Sequence, residues 1–132
     1  FSCRPHPEGF YPWDSHPLAD VAPLSGGPFR QVMDEADLFV YDFFRTSSLW
    51  ECLCTDKPVV FLGISLGHEP FAPEVQALME ERCRFVDVVF DENNVPRFDG
   101  EMLAQAVMDD LGPADSSAIR RVQAGQYEPE RL

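Results

Sequence analysis

Three consecutive hydroxyl residues, Thr46, Ser47 and Ser48, are the part of this sequence best suited to chemistry. They follow an apolar segment, residues 37–42, that is typical of a buried β-strand, and Glu51 stands three positions after Ser48. The Ser48–Glu51 spacing predicts a capping box at the start of a helix. Free N–H groups and the positive dipole end of a helix bind phosphate, so we predict a phosphate-binding edge here.

A simple helix cap is the alternative interpretation of the same hydroxyl residues. One hydroxyl is enough for a cap, which stabilises a helix by about 1 kcal/mol. Three in succession, flanked by Asp42 and Arg45, favour a binding role. Asp42 itself is either part of the site or only an acid at the end of a strand.

His6 is the candidate for acid–base chemistry. It stands between Pro5 and Pro7, directly after Arg4 and a short strand-like segment. Because proline fixes φ, the two rings would hold the imidazole in one direction. An imidazole that titrates near neutral pH serves as a general base or as a phosphate donor. An incidental histidine in a surface loop is the alternative.

Gly63 begins a predicted loop that extends to Phe71 and lies at the same edge of the sheet as the hydroxyl residues. A glycine there lets a ligand approach the backbone closely. The loop has neither the GxGxxG nor the GxxxxGK[ST] spacing, which excludes a dinucleotide fingerprint and a P-loop.

The sequence predicts no metal and no other cofactor. Zinc spacing is missing among the histidines, and Cys52-x-Cys54 alone is a weak metal pattern. We interpret the four cysteines as reduced structural thiols of a cytoplasmic protein.

Apolar and amphipathic segments alternate along the chain. Strands are predicted over residues 1–4, 38–41, 59–62 and 85–90, and helices over 29–36, 48–54, 73–83 and 99–107, with a further short helix near 117–123. This alternation predicts an α/β fold with a Rossmann-like parallel sheet of about four or more strands, covered by helices on both faces. Ligands of such folds bind at the carboxyl ends of the strands.

The composition favours one domain, predicted over residues 1–112, followed by a polar tail over 113–132. A net charge of −13, from 23 acidic and 10 basic residues, argues against nucleic acid as a partner. No apolar run approaches the roughly 20 residues of a membrane helix, so no integral membrane segment is predicted. Because the chain starts on a strand-like segment, we expect it to be a fragment of a larger protein.

Two sets of residues carry a resemblance to a known family. Residues 4–7 (Arg-Pro-His-Pro) end one strand, and residues 36–42 and 46–51 precede a Lys-Pro-Val-Val segment at 57–60. In this arrangement, which covers about residues 3–62, the chain resembles the C-terminal half of a GT-B glycosyltransferase. The families it is similar to are bacterial surface-carbohydrate transferases and the CDP-glycerol glycerophosphotransferases of teichoic-acid synthesis.

The resemblance implies a donor-binding domain whose missing N-terminal half binds the acceptor. His6 would contact the donor phosphate or act in catalysis, Ser47 and Ser48 would bind the pyrophosphate, and Glu51 the ribose. The sequence departs from the family at residues 43–45 (Phe-Phe-Arg), where many relatives have smaller residues. Arg4, Asp42, Thr46 and Gly63 complete the expected donor site. The enzyme is expected in the cytoplasm, where peripheral association with the inner membrane face fits its substrates.

Two other functions are compatible with parts of this pattern. A nucleotide-sugar 2-epimerase has the same architecture and needs no acceptor, so product analysis distinguishes it. A receiver-type signalling module also combines strand-end acids, Thr or Ser and a Lys-Pro pair. Asp42, Thr46 and Lys57 fall within a single βαβ unit, however, which is not the receiver spacing.

Overall fold

The computed structural model describes residues 2–5, 15–64, 72–109 and 112–124 of the chain. Its internal contacts divide the chain into two compact units, Phe1–Ala36 and Asp37–Leu132. The secondary structure is α/β, as predicted, and the sheet belongs to the second unit.

The first unit contains one short parallel pairing and one helix. Cys3 and Leu24 form an isolated parallel bridge, in which the Cys3 N–H donates to the Pro23 carbonyl at 2.9 Å. The predicted strand over residues 1–4 is thus reduced to a single bridge among its described residues. Helix α1 spans Phe29–Glu35, close to the predicted bounds. It follows Pro28, whose backbone is extended.

The second unit consists of a four-stranded sheet and four helices among its described residues. In chain order these elements are β1 (Phe39–Tyr41), α2 (Ser47–Leu53), β2 (Val59–Ile64), α3 (Pro73–Arg82), β3 (Arg84–Phe90), β4 (Pro96–Phe98), α4 (Gly100–Met108) and α5 (Ser117–Gln123). The strand order is β1-β2-β3-β4. The first three strands are parallel, which confirms the predicted direction, and β4 is antiparallel to β3.

The antiparallel strand β4 was missed because its sequence has the composition of a turn. The Asp91 carboxylate accepts the N–H groups of Asn93 and Val95 at 2.9 and 3.0 Å, and Asn94 takes a left-handed φ of 59°. This tight turn sends the chain back along β3 at Pro96. Proline is tolerated there because β4 is an edge strand.

The centre of the sheet is strand β2, which is buried on both faces. Val59, Val60 and Phe61 are 1%, 0% and 4% exposed, although successive side chains of a strand point to opposite faces. Burial on both faces agrees with the sequence of this strand, in which apolar and polar residues do not alternate. On the face of Val60, helix α4 packs through Leu103 and Ala106.

Candidate functional site

The end of β1 and the start of α2 bring most of the predicted donor-site residues into one short segment. Strand β1 ends at Tyr41, so that Asp42 is the first residue beyond it and is exposed. Ser47 begins α2 and is also exposed, whereas Thr46 and Ser48 are half-buried. The helix is held in place by its opposite face, where Leu49, Cys52 and Leu53 are fully buried.

The predicted capping box at Ser48 and Glu51 is wrong. Helix α2 begins one residue earlier than predicted, so Thr46 is the N-cap, Ser48 lies inside the first turn, and Glu51 lies in the second turn on the exposed side. The Thr46 side chain caps no backbone N–H. Its Oγ1 atom instead lies 2.9 Å from the Ser48 Oγ atom, a hydrogen bond that either hydroxyl can donate.

The two bonded hydroxyls therefore leave the first backbone N–H groups of α2 without a side-chain cap from Thr46. A helix start in this condition presents donors outward, next to the exposed Ser47 hydroxyl. The arrangement suits an acceptor with several oxygen atoms.

Arg45 adds a positive charge to this segment, although the sequence analysis gave it only as a flanking residue. Its guanidinium lies 5.4 Å from the ring centroid of Phe44, a cation–π distance. The Phe43 and Phe44 rings lie 6.0 Å apart, and Phe43 is 46% exposed. The sequence could have indicated Arg45 as a site residue, because it is a basic residue directly before three hydroxyl residues in a chain rich in acids.

Gly63 lies in a strand and does not begin a loop. Strand β2 continues two residues further than predicted, to Ile64, and Gly63 pairs with Asp87 of β3. A Cβ atom at Gly63 would stand 3.4 Å from Cδ1 of the Phe85 ring. This is an ordinary van der Waals distance, so packing against Phe85 does not by itself require glycine at this position. The rest of the predicted loop, residues 65–71, lies outside the described residues.

Arg4 and His6 belong to the first unit. The Arg4 Nη2 atom donates to the Gly27 carbonyl at 2.5 Å, and its guanidinium lies 5.9 Å from the Phe29 ring centroid. Arg4 therefore contacts Gly27 and the first residue of α1. His6 lies outside the described residues, so its predicted role stays a prediction.

An apolar pocket of about 190 Å³ lies between α2, α3 and α5. Its lining residues are Trp50, Val75, Leu78, Ile119, Val122 and Gln123. Gln123 is the single polar side chain of this set, which gives the pocket none of the charged groups that a diphosphate requires. The pocket lining does not include Thr46, Ser47 or Ser48, so this pocket is not the predicted phosphate site.

The cysteines of the second unit surround a buried arginine. Burial raises the pKa of Cys52 to about 11 and that of Cys83 to about 12, against an ordinary 9.0. Burial also lowers the pKa of Arg82. Thiols held neutral in this way are poor nucleophiles and metal ligands. Among the described residues, no three His, Cys, Asp or Glu side chains are placed to hold a metal ion.

No helix in the described part of the chain has the length and apolar character that a membrane span requires. A scan against protein-family models, a search of the curated proteins and a search of the solved structures each found no match.

Proposed function

We propose that this chain is the donor-binding part of a transferase that moves a sugar or polyol-phosphate unit from a nucleotide-activated donor onto a cell-surface polysaccharide precursor. The reaction would take place in the cytoplasm or at the inner face of the membrane, with a further domain supplying the acceptor. The observation that carries the proposal is the hydroxyl segment Thr46, Ser47 and Ser48, beside Arg45, at the carboxyl end of a parallel strand.

The order of the three parallel strands β1, β2 and β3 supports the proposed Rossmann-like sheet. The strand order of such a sheet is 3-2-1-4-5-6, so its second half runs in sequential order, as β1, β2 and β3 do. The ligand site of such a fold lies beside strand 4, which corresponds to β1.

In the proposed mechanism, the protein stabilises the leaving diphosphate. The α2 N–H groups, the hydroxyls of Ser47 and Ser48, and the Arg45 guanidinium would bind the oxygens where negative charge develops. Asp42 and Glu51 would accept hydrogen bonds from hydroxyl groups of the nucleotide-activated donor, and His6 would act as the acid–base group. These donors act at short range, because the net charge of −13 repels an anionic ligand at a distance.

Calorimetry of this chain with CDP, UDP and GDP tests the proposal. We expect weak binding of at least one of them, and a loss of about tenfold or more in affinity when Ser47→Ala and Ser48→Ala are combined, because two hydrogen bonds to a charged group are removed. Ser117→Ala is the matched control, since it removes a hydroxyl from the first turn of α5.

Equal affinity in the wild type and the double variant would contradict the site. With the full-length protein, release of an epimerised nucleotide sugar in the absence of any acceptor would identify the epimerase alternative.

A further inference from the structure

The pocket between α2, α3 and α5 has a lining that suits an apolar molecule better than water. Apart from Gln123, its described lining residues are aliphatic or aromatic, and none of them is charged. A buried water molecule needs about two to four polar partners. Only the Gln123 amide and the Trp50 indole N–H are available in this lining, so most of the space of about 190 Å³ is unsuitable for water.

Contacts outside the pocket hold its three helices in place. Leu49 and Leu53 anchor α2 and Met79 anchors α3, each with 0% exposure. Helix α5 is held by the hydrogen bond from Arg120 Nε to the Cys54 carbonyl, at 2.6 Å. None of these five residues lines the pocket. Because closing the pocket would disturb these contacts, the space is preformed, as ligand pockets usually are.

The size and shape of the pocket favour an aromatic ring. A cavity of about 150 Å³ lined by aliphatic and aromatic side chains holds benzene in another protein. Trp50 adds a flat wall, on which an aromatic ring gains more than its buried area alone provides. Ile119 is 2% exposed and lies deepest, whereas Gln123 is exposed and marks the mouth. A ring that enters the pocket therefore leaves its polar group beside the Gln123 amide.

We propose that this pocket binds a small neutral aromatic molecule of one ring or two fused rings, with one hydrogen-bonding group that faces Gln123. A charged molecule would lose its hydration and gain no counter-charge from the described lining. A second copy of this chain is disfavoured as the occupant, because each copy carries a net charge of −13. The proposal does not depend on donor binding, since the lining does not include the hydroxyl segment.

An NMR titration of this chain with indole tests the proposal. Indole is a suitable probe because it has two fused rings and a single N–H group. We expect the methyl signals of Val75, Leu78 and Val122 to shift with one common dissociation constant of about 1 mM or lower. Nuclear Overhauser effects from the indole ring to these methyl groups should place it in the pocket. Indole-3-carboxylate, which is charged at neutral pH, should bind about tenfold more weakly or worse.

Two variants test the space and the polar group separately. Val75→Phe fills the pocket and should weaken indole binding by about tenfold or more, because the added ring occupies the same volume. Val107→Phe is the matched control, since it makes the same exchange at a partly exposed position of α4 outside the lining. Gln123→Leu should weaken indole binding about threefold, the scale of one hydrogen bond, and leave the affinity for benzene unchanged.

Three results would overturn the proposal: no saturable shift of the pocket methyl signals up to the solubility limit of indole, equal affinity in the wild type and Val75→Phe, or an equal loss in Val107→Phe. Nuclear Overhauser effects to the pocket methyl groups from another segment of this chain, in the absence of indole, would show that the protein fills the pocket itself and would also overturn it. Unchanged indole affinity in Gln123→Leu would overturn the role of Gln123.

Discussion

At the scale of single residues, Arg82 is a buried arginine held by backbone carbonyls through its Nε and Nη2 atoms, while its Nη1 atom has no hydrogen-bond partner among the described residues. Its guanidinium is 5% exposed and donates to the carbonyls of Cys52, Leu53, Thr55 and Lys57, at distances from 2.8 to 3.3 Å. The Leu53 carbonyl belongs to the last residue of α2 and lacks a partner within the helix, whereas the Cys52 carbonyl also accepts from the Thr55 N–H at 2.9 Å. One side chain at the end of α3 thus fixes both the end of α2 and the turn into β2.

We expect Arg82→Met to lower the free energy of unfolding by about 3 kcal/mol or more, because it removes the guanidinium donor from four backbone carbonyls, among them the buried carbonyl of Leu53. Urea denaturation gives this value directly. The matched control is Arg84→Met, which breaks the exposed Arg84–Asp109 pair and should cost less than about 1 kcal/mol. Equal losses for the two variants would contradict a special role for Arg82.

Buried thiols at Cys52 and Cys83 make the stability sensitive to alkaline pH. Their pKa values are about 11 and about 12 in the folded chain, raised from 9.0, so the unfolded state loses its thiol protons first. The contribution of the two buried thiols to the free energy of unfolding is therefore fully present below pH 9.0. It should fall as the pH rises from there towards 11. Thermal unfolding followed by circular dichroism between these values checks the direction.

The double variant Cys52→Ala and Cys83→Ala provides the comparison, since it lacks both titrating groups. Its melting temperature should depend less on pH over the same interval. A wild-type curve that stays flat in this range would show that the two thiols titrate normally.

At the scale of elements, the polar segment after Gly112 contributes a helix to the second unit. Helix α5 buries Ile119 to 2% exposure, and the Arg120 Nε atom donates to the Cys54 carbonyl at 2.6 Å. The Ala114 N–H adds a bond of 2.8 Å to the Asp56 carbonyl. These contacts hold α5 beside the turn that follows α2.

Ile119→Ala should lower the free energy of unfolding by about 2–4 kcal/mol, because a fully buried side chain is truncated and leaves a cavity. Arg121→Ala is the control on the same helix, since Arg121 is exposed and alanine is an equally good helix former. Chemical denaturation of both variants measures the difference. A negligible loss for Ile119→Ala would mean that α5 is not part of the cooperative unit.

At the scale of the whole molecule, the two units differ in the number of backbone hydrogen bonds in strand pairings and of buried residues among their described residues. The second unit has a four-stranded sheet and a core around Val60 and Val86. In the first, the described pairing is one isolated bridge, and α1 contains no buried residue. A high net negative charge adds self-repulsion to both.

Native-state hydrogen exchange should therefore be slowest in β2 and β3 and clearly faster in α1, because local opening costs least where few apolar contacts are lost. Mass spectrometry of peptides from the exchanged protein resolves the two units. Uniform protection along the described residues would show that the whole chain unfolds in one step.

The sequence by itself determined the elements whose signal is local. The apolar run at β2 and the amphipathic pattern of α4 fix their own type, because side-chain periodicity decides which backbone conformation can be buried. Parallel pairing of β1, β2 and β3 also followed, since helices connect these strands. The hydroxyl segment after β1 was likewise placed at a strand end by its position in the chain.

Only the tertiary structure decided the features that depend on distant partners. Strand β4 forms because its backbone hydrogen-bonds to β3, and the sequence of residues 91–98 does not indicate this pairing. The capping box failed because Thr46 and Ser48 satisfy each other, and Gly63 entered β2 because β3 extends alongside it. The role of Arg82 was invisible for the same reason: its carbonyl partners lie 25 or more positions earlier in the chain. Spacing predicts what neighbours in sequence can do, whereas burial and hydrogen bonding between distant segments depend on the folded core.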